Sequence, residues 1–190
     1  KGRPIEKRVC PKRTTKVCVG CRPCSITTGF AGAGAFSDGK LSLSPDVGGN
    51  LPDILGYDKA LELIHESDDI YLKFGADTNV YGVDKQKEIQ EIRRRAIMAN
   101  LKLIECPIRH LGTEEGYKIY TRLQEHLLSS GVRIEFNTMV QDILIEDGCA
   151  RGILTDKGET YYAREIVSAI GREGSDWFSH VCRDHGIETK

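Results

Sequence analysis

The part of the sequence that most restricts the fold is a series of short apolar runs between residues 132 and 171. Strand-length runs occupy residues 132–137, 139–146, 150–156 and 159–163. The turn sequences "EDG" and "DKG" separate the last three, which predicts an antiparallel meander. The run "EIVSAIG" that follows has no polar alternation, as is typical of a strand buried on both faces. We expect 132–137 and 165–170 to share one sheet, with the meander as a separate layer.

Helical spacing of apolar residues precedes these runs. It begins near Asp58, Asp84 and Thr113, and Gly75 and Gly131 are the expected ends of the first and third helices. The run "LKLIECPIRHLG" reads as a strand that Pro107 confines to an edge or a bend. The chain is therefore predicted to be α/β. We divide it into a cysteine-containing basic arm with a Gly-rich loop (1–56), a helical insertion with an edge strand (57–112), and a segment of helix, sheet strands and meander (113–190).

Four of the seven cysteines form a C-x7-C-x2-C-x2-C array: Cys10, Cys18, Cys21 and Cys24. The C-x2-C spacing lets two thiolates reach one ion, and four thiolates complete a zinc site or an iron–sulfur cluster. The array matches neither the paired knuckles of zinc ribbons nor the usual iron–sulfur run. Two interpretations therefore stay open, namely one metal centre held by all four cysteines and a set of reduced or redox-active thiols.

Positive charge is concentrated at the start of the chain. Residues 1–24 hold eight Lys or Arg against the single Glu6, a balance of +7 in a chain whose net charge is -1. Such an arm attracts an anionic partner. The same residues contain no Phe, Tyr or Trp, which disfavours single-stranded nucleic acid as that partner. No apolar stretch has the length of a membrane span or of a secretory leader, so the sequence predicts a cytoplasmic protein without a membrane partner.

The sequence "GAGAFS" at residues 32–37 has part of the spacing of a dinucleotide-binding fingerprint. That fingerprint needs a hydrophobic strand before it and a helix opening from its last glycine. Here "CSITTGFA" precedes it and "DGKLSLSPD" follows. We interpret the segment as a flexible loop whose small residues let the backbone approach another group closely.

Two stretches carry a family resemblance: "TTGFAGAGAFSDGKL" and the text from "GTEEGYKIY" through "SAIGREGSDW". They resemble the uncharacterised FAD-dependent dehydrogenases, which belong to the NAD(P)/FAD-dependent oxidoreductases with two dinucleotide-binding domains. The resemblance implies a three-layer β/β/α FAD/NAD(P)-binding fold with an antiparallel meander and a helical insertion. It also implies an oxidoreductase that moves hydride or electrons through FAD to or from an unknown substrate, with NAD(P)H as a candidate donor.

Members of this family begin with a G-x-G-x-x-G unit and end with a segment that returns to the cofactor. Neither is recognisable here, so we expect the chain to be a fragment of a longer flavoenzyme that purifies colourless by itself. The competing hypothesis is a cysteine-knuckle metal-binding module whose basic arm contacts nucleic acid or a protein partner.

The resemblance assigns cofactor contacts residue by residue. Val140 takes the strand position whose backbone contacts adenine, and Ala169 and Gly171 take the turn that passes the pyrophosphate. The loop near the ribityl chain and the flavin supplies Gly32, Gly34, Ser37, Asp38, Gly39 and Lys40. The basic arm would lie beside the diphosphate. No matching position marks a catalytic acid or base, and Lys40 and His110 are the candidates.

Overall fold

The computed structural model describes residues 2–189, a mixed α/β chain of helices and small antiparallel sheets. The helices are α1 (Lys12–Thr15), α2 (Leu51–Leu55), α3 (Tyr57–Lys73), α4 (Gln86–Met98), α5 (Thr113–Ser129) and α6 (Ser175–Asp184). The strands are β1 (Lys40–Ser42), β2 (Ile108–His110), β3 (Val140–Glu146), β4 (Cys149–Thr155) and β5 (Thr160–Tyr162). Short 3₁₀ turns occupy Ile5–Lys7, Gly32–Phe36 and Arg172–Gly174.

The chain divides into two compact units. Unit 1 comprises Lys1–Ala33 and Leu127–Lys190, and unit 2 comprises Gly34–His126. These two units do not coincide with the segments 1–56, 57–112 and 113–190 expected from the sequence. That three-part division stays a prediction. Within residues 2–189, no helix combines the length and the apolar character that crossing a bilayer requires.

Unit 2 is built from α2, α3, α4, most of α5 and the two-stranded sheet β1–β2. The apolar faces of α3 and α5 meet in its core, where the rings of Tyr71 and Tyr120 pack edge to face with centroids 6.1 Å apart. Ile119 is almost fully buried beside them on α5, and Ala60 on α3 is fully buried. Burial of these apolar faces stabilises the helices that the periodicity of the sequence predicts.

The ends of α3 and α5 follow the predicted glycines. At α5, the Gly131 N–H donates to the Leu128 carbonyl at 3.2 Å and the Val132 N–H donates to the Leu127 carbonyl at 3.0 Å. Gly131 has a φ of +83°, so this is a Schellman motif in which glycine takes the left-handed position. An equivalent pair of bonds ends α3 at Gly75. Both predicted helix ends are confirmed.

Unit 1 contains the predicted meander, in which β3 pairs with β4 and β4 pairs with β5, both antiparallel. Asp147 and Gly148 connect β3 to β4 with φ values of +51° and +73°, the pattern of a type I′ hairpin turn. The indole Nε1 of Trp177 on α6 donates to the Gln141 carbonyl of β3 at 2.8 Å. The hairpin meander is thus confirmed, and α6 is attached to its first strand.

The strands expected at 132–137 and 165–170 are wrong. Neither segment belongs to a strand in the described residues, and Val167 is 89% exposed. An unbroken apolar run forms a central strand only when neighbouring strands pair with it and helices cover its faces. The two sheets of residues 2–189 are β1–β2 and β3–β4–β5, so neither segment has a strand partner there.

Candidate functional site

The centre of the candidate site in unit 2 is a backbone junction between the Gly-rich loop and the end of β2. The Leu111 N–H donates to the Gly39 carbonyl at 2.8 Å, and the Gly112 N–H donates to the Asp38 carbonyl at 3.2 Å. Thr113, the first residue of α5, donates its hydroxyl to the Ser37 carbonyl at 3.4 Å. These bonds continue the pairing of β1 with β2 and fix the loop against the start of α5.

Three polar side chains converge at this junction. The imidazole Nε2 of His110 lies 2.7 Å from Oδ1 of Asp38, and Nζ of Lys40 lies 2.9 Å from Oδ2 of the same carboxylate. Lys40 is the register partner of His110, so their side chains project from one face of the β1–β2 sheet. All three are accessible, with 38% of the His110 side chain exposed and 57% of the Asp38 side chain.

Hydrogen bonds first from Lys40 and then from His110 hold the pKa of the Asp38 carboxyl below its ordinary value. Asp38 is therefore a carboxylate at neutral pH, and it accepts from both neighbours. A carboxylate that accepts from one imidazole nitrogen leaves the other nitrogen available as a base. The cluster can thus bind an anionic group through Lys40 or accept a proton through His110.

The neighbouring strand residue faces the opposite way and anchors the strand. Arg109 is 5% exposed and makes a bidentate pair with Asp68 of α3, with Nε–Oδ1 at 2.5 Å and Nη2–Oδ2 at 2.6 Å. Its Nη1 also donates to the carbonyls of Asp77 at 2.6 Å and Asn79 at 3.3 Å. Asp68 raises the pKa of Arg109, and the buried pair fixes β2 to α3. The Arg109–Asp68 pair therefore anchors, on the opposite face of β2, the strand that carries His110.

The loop glycines differ in what surrounds them. A Cβ at Gly39 would lie 3.0 Å from Cβ of Leu111, and a Cβ at Gly34 would lie 3.3 Å from the Tyr120 hydroxyl. Both contacts are tight, and Gly39 also has a φ of +65°, so packing and backbone conformation inside unit 2 favour glycine at these positions. The Ser37 hydroxyl is likewise used internally, because it donates to the Gly34 carbonyl and accepts from the Gly39 N–H, both at 3.1 Å. Their assignment as cofactor contacts stays a prediction.

Tyr120 lies under this loop. Burial, followed by a hydrogen bond with Tyr71, raises the pKa of the Tyr120 phenol. The phenol therefore stays protonated across the physiological range. The neutral phenol lies next to Gly34. The ionisable groups of the exposed cluster are Asp38, Lys40 and His110.

The remaining cofactor assignments fall in unit 1. Val140 begins β3 opposite Thr155, and Ala169 lies in the exposed segment before the Arg172–Gly174 turn. Gly171 precedes that turn with a φ of +63°, and a Cβ at Gly171 or at Gly32 would meet nothing within 4 Å. The Arg172–Gly174 turn and α6 begin without a side-chain cap. The assignment of Gly32, Val140, Ala169 and Gly171 as cofactor contacts stays a prediction.

The cysteine array is not assembled into a metal-binding group. Cys18 is exposed, Cys10, Cys21 and Cys24 are half-buried, and residues 2–189 contain no group of three or more His, Cys, Asp or Glu placed to hold an ion. The N–H groups of Thr27 and Ile26 and the Thr27 hydroxyl lower the pKa of the Cys24 thiol. A metal centre of zinc or iron–sulfur type, and the metal-binding module that depends on it, stay predictions.

Part of the basic arm has an internal role. Arg8 is 3% exposed, and its guanidinium donates to the carbonyls of Ser25 at 3.1 Å, Ile26 at 2.7 Å and Phe30. Burial lowers the pKa of this guanidinium. Arg8 therefore organises residues 25–30 of unit 1, and its charge does not project into solvent as the charge count of the arm suggests.

Comparison with protein-family models gives no match, and comparison with curated proteins gives none. The FAD-dependent dehydrogenase family accordingly stays a resemblance carried by the quoted stretches. The arrangement of Asp38, Lys40 and His110 is the part of the site that the structure adds.

Sequence reasoning did not identify the Asp68–Arg109 pair. A signal for it was present, because Asp68 lies four residues after Ile64 and three before Tyr71, inside the apolar stripe of α3. A carboxylate in such a stripe needs a buried cationic partner. The strand register that supplies Arg109 depends on pairing between residues more than sixty positions apart.

Proposed function

We propose that this chain is part of an FAD-dependent oxidoreductase that moves hydride or electrons between a bound flavin and a small-molecule substrate. The observation that carries the proposal is the exposed cluster of Asp38, Lys40 and His110. Two of its members come from the loop whose sequence resembles the flavin-proximal loop of FAD-dependent dehydrogenases. The third is a histidine from a distant strand, and flavin oxidoreductions need a group that handles the accompanying proton.

The chemistry of the cluster is compatible with a flavin. Lys40 supplies a cation for a ribityl phosphate or for negative charge on the ring system, while His110 and Asp38 supply a base and a hydrogen-bond acceptor. FAD provides the hydride and electron chemistry when it is bound, and the residues of this chain position the reactants and accept the accompanying proton. In unit 1, the sequence resemblance assigns the adenine and pyrophosphate contacts to Val140, Ala169 and Gly171, and a Cβ at Gly171 would meet nothing within 4 Å.

The test divides the cofactor into its halves. FMN contains the flavin, ribityl chain and one phosphate, whereas ADP contains adenine and the diphosphate. Each is titrated at millimolar concentration into ¹⁵N-labelled protein, and the backbone amide resonances are followed. FMN is expected to move the resonances of Ser37–Lys40, and ADP those of Val140, Ala169 and Gly171.

A variant in which Lys40→Gln removes the cation supplies the control. It is expected to weaken the response to FMN and to leave the response to ADP unchanged, since Lys40 is assigned to the flavin end. The proposal is refuted if millimolar FMN leaves the resonances of Ser37–Lys40 unmoved, or if ADP and FMN move the same resonances.

A further inference from the structure

We infer that His110 is the proton acceptor of this site and that Asp38 is the positioning residue that selects its reactive nitrogen. Only one of the two ring nitrogens of His110 makes a hydrogen bond within the described residues. Nε2 of His110 lies 2.7 Å from Oδ1 of Asp38, and within residues 2–189 the ring makes no hydrogen bond through Nδ1. A carboxylate can only accept, so Nε2 carries a hydrogen, and in the neutral ring Nδ1 carries the lone pair.

The surroundings keep the ring in this orientation. The groups that face the imidazole are the Asp38 carboxylate from the loop, the Lys40 ammonium from β1 and the Tyr81 ring, whose centroid lies 6.3 Å away at an interplanar angle of 73°. Tyr81 is held beside β2 by reciprocal backbone bonds with Ile108, at 2.8 and 3.0 Å. Arg109 points to the opposite face and pairs with Asp68. The ring is therefore fixed on one side by a hydrogen bond and on another by an aromatic edge.

The step that this arrangement supports is the proton half of a dehydrogenation. The substrate class is an alcohol or amine with hydrogen on the adjacent carbon. Nδ1 of His110 takes the O–H or N–H proton of the substrate. A bound oxidised flavin would accept the hydride from the adjacent C–H bond, and the substrate would gain a C=O or C=N bond. The imidazolium that results is stabilised by the Asp38 carboxylate. The substrate class and the hydride acceptor rest on the proposed function, whereas the tautomer of His110 and its contact with Asp38 do not.

Two measurements on the purified chain test the inference without any flavin. The first is the tautomer of His110, read from long-range ¹H–¹⁵N correlations and assigned by the loss of its signals in His110→Gln. The Nε2–H tautomer is expected. It should persist in Lys40→Gln, which keeps the Asp38 contact, and give way to a mixture in Asp38→Asn, because an amide can donate as well as accept.

The second measurement is the rate of carbethoxylation by diethyl pyrocarbonate at neutral pH, resolved by residue with mass spectrometry. An unprotonated imidazole nitrogen attacks the reagent and forms an N–C bond, and the leaving ethyl carbonate breaks down to ethanol and carbon dioxide. His110 is expected to react several-fold faster than His65, although His65 is the more exposed of the two. Asp38→Asn should remove this advantage.

The rate at His65 also serves as the folding control, since it should be the same in every variant. If His110 reacts no faster than His65, or keeps its rate and tautomer in Asp38→Asn, the inference is overturned. The flavin proposal is judged separately by the FMN and ADP titrations, so the failure of one is distinguishable from the failure of the other.

Discussion

Replacing Asp68 by Asn tests whether the buried ion pair holds unit 2 together. The variant keeps the shape of the side chain but leaves the Arg109 guanidinium, 5% exposed, without its counter-charge. Removing one partner of a buried pair costs about 3–5 kcal/mol, because the remaining charge is neither hydrated nor compensated. With a urea m-value of about 2 kcal/mol per M, the unfolding midpoint should fall by about 2 M.

A surface pair of similar length provides the matched control. Glu115 and Lys118 on α5 lie 2.6 Å apart, but each side chain is 57% exposed. Glu115→Gln also removes one carboxylate from a salt bridge, and its expected cost is about 0.2–1 kcal/mol because solvent screens the pair. Burial is therefore the main variable that separates the two substitutions.

The assay is urea unfolding followed by far-UV circular dichroism, with the fluorescence of the single tryptophan recorded in parallel. Trp177 belongs to unit 1, so its transition reports on the unit that does not contain the substitution. Asp68→Asn should shift the part of the dichroism transition that belongs to unit 2. The reasoning is refuted if Asp68→Asn and Glu115→Gln lower the midpoint equally.

Two further predictions concern titrating groups. The pKa of the Asp38 carboxyl, measured by NMR, should lie below the ordinary value and should rise in Lys40→Gln. Because the folded-state pKa is depressed, the stability that Asp38 contributes is present above the unfolded pKa of about 4. That contribution is lost as the pH falls through the folded-state pKa. An unshifted value in the wild-type protein would contradict the cluster geometry. Alkylation of Cys24 by iodoacetamide should begin at lower pH in the wild-type protein than in Thr27→Val, which loses the hydroxyl donor but keeps the backbone N–H donors. Identical pH profiles would show that the hydroxyl does not contact the sulfur.

The elements that the sequence predicts well are those whose signals are local. Gly131 ends α5 because one residue must take a left-handed conformation there, and Asp147–Gly148 forms a hairpin turn for the same reason. Both requirements act within a few residues, so the residue types alone indicate them.

The failures involve pairing over long distances. The run at 165–170 has the composition of a buried strand, yet a strand also needs neighbours, and composition does not specify them. For the site, the resemblance identified Asp38 and Lys40, and His110 was one of two candidates for an acid or base. The contact of His110 with Asp38 spans 72 residues and required the register of β1 with β2.

The alternation along β2 has a consequence for chain-length variation. Ile108–His110 places a buried guanidinium and a partly exposed imidazole on adjacent residues, so a deletion or insertion within these three positions would exchange their environments. The same change in length would disrupt both the ion pair of Arg109 and the contact of His110 with Asp38. Length changes between α4 and Pro107, where the chain is irregular, leave that alternation intact. Natural or engineered variants that differ in length should therefore accumulate there, and the strand itself should retain its residue count even where its residue types drift.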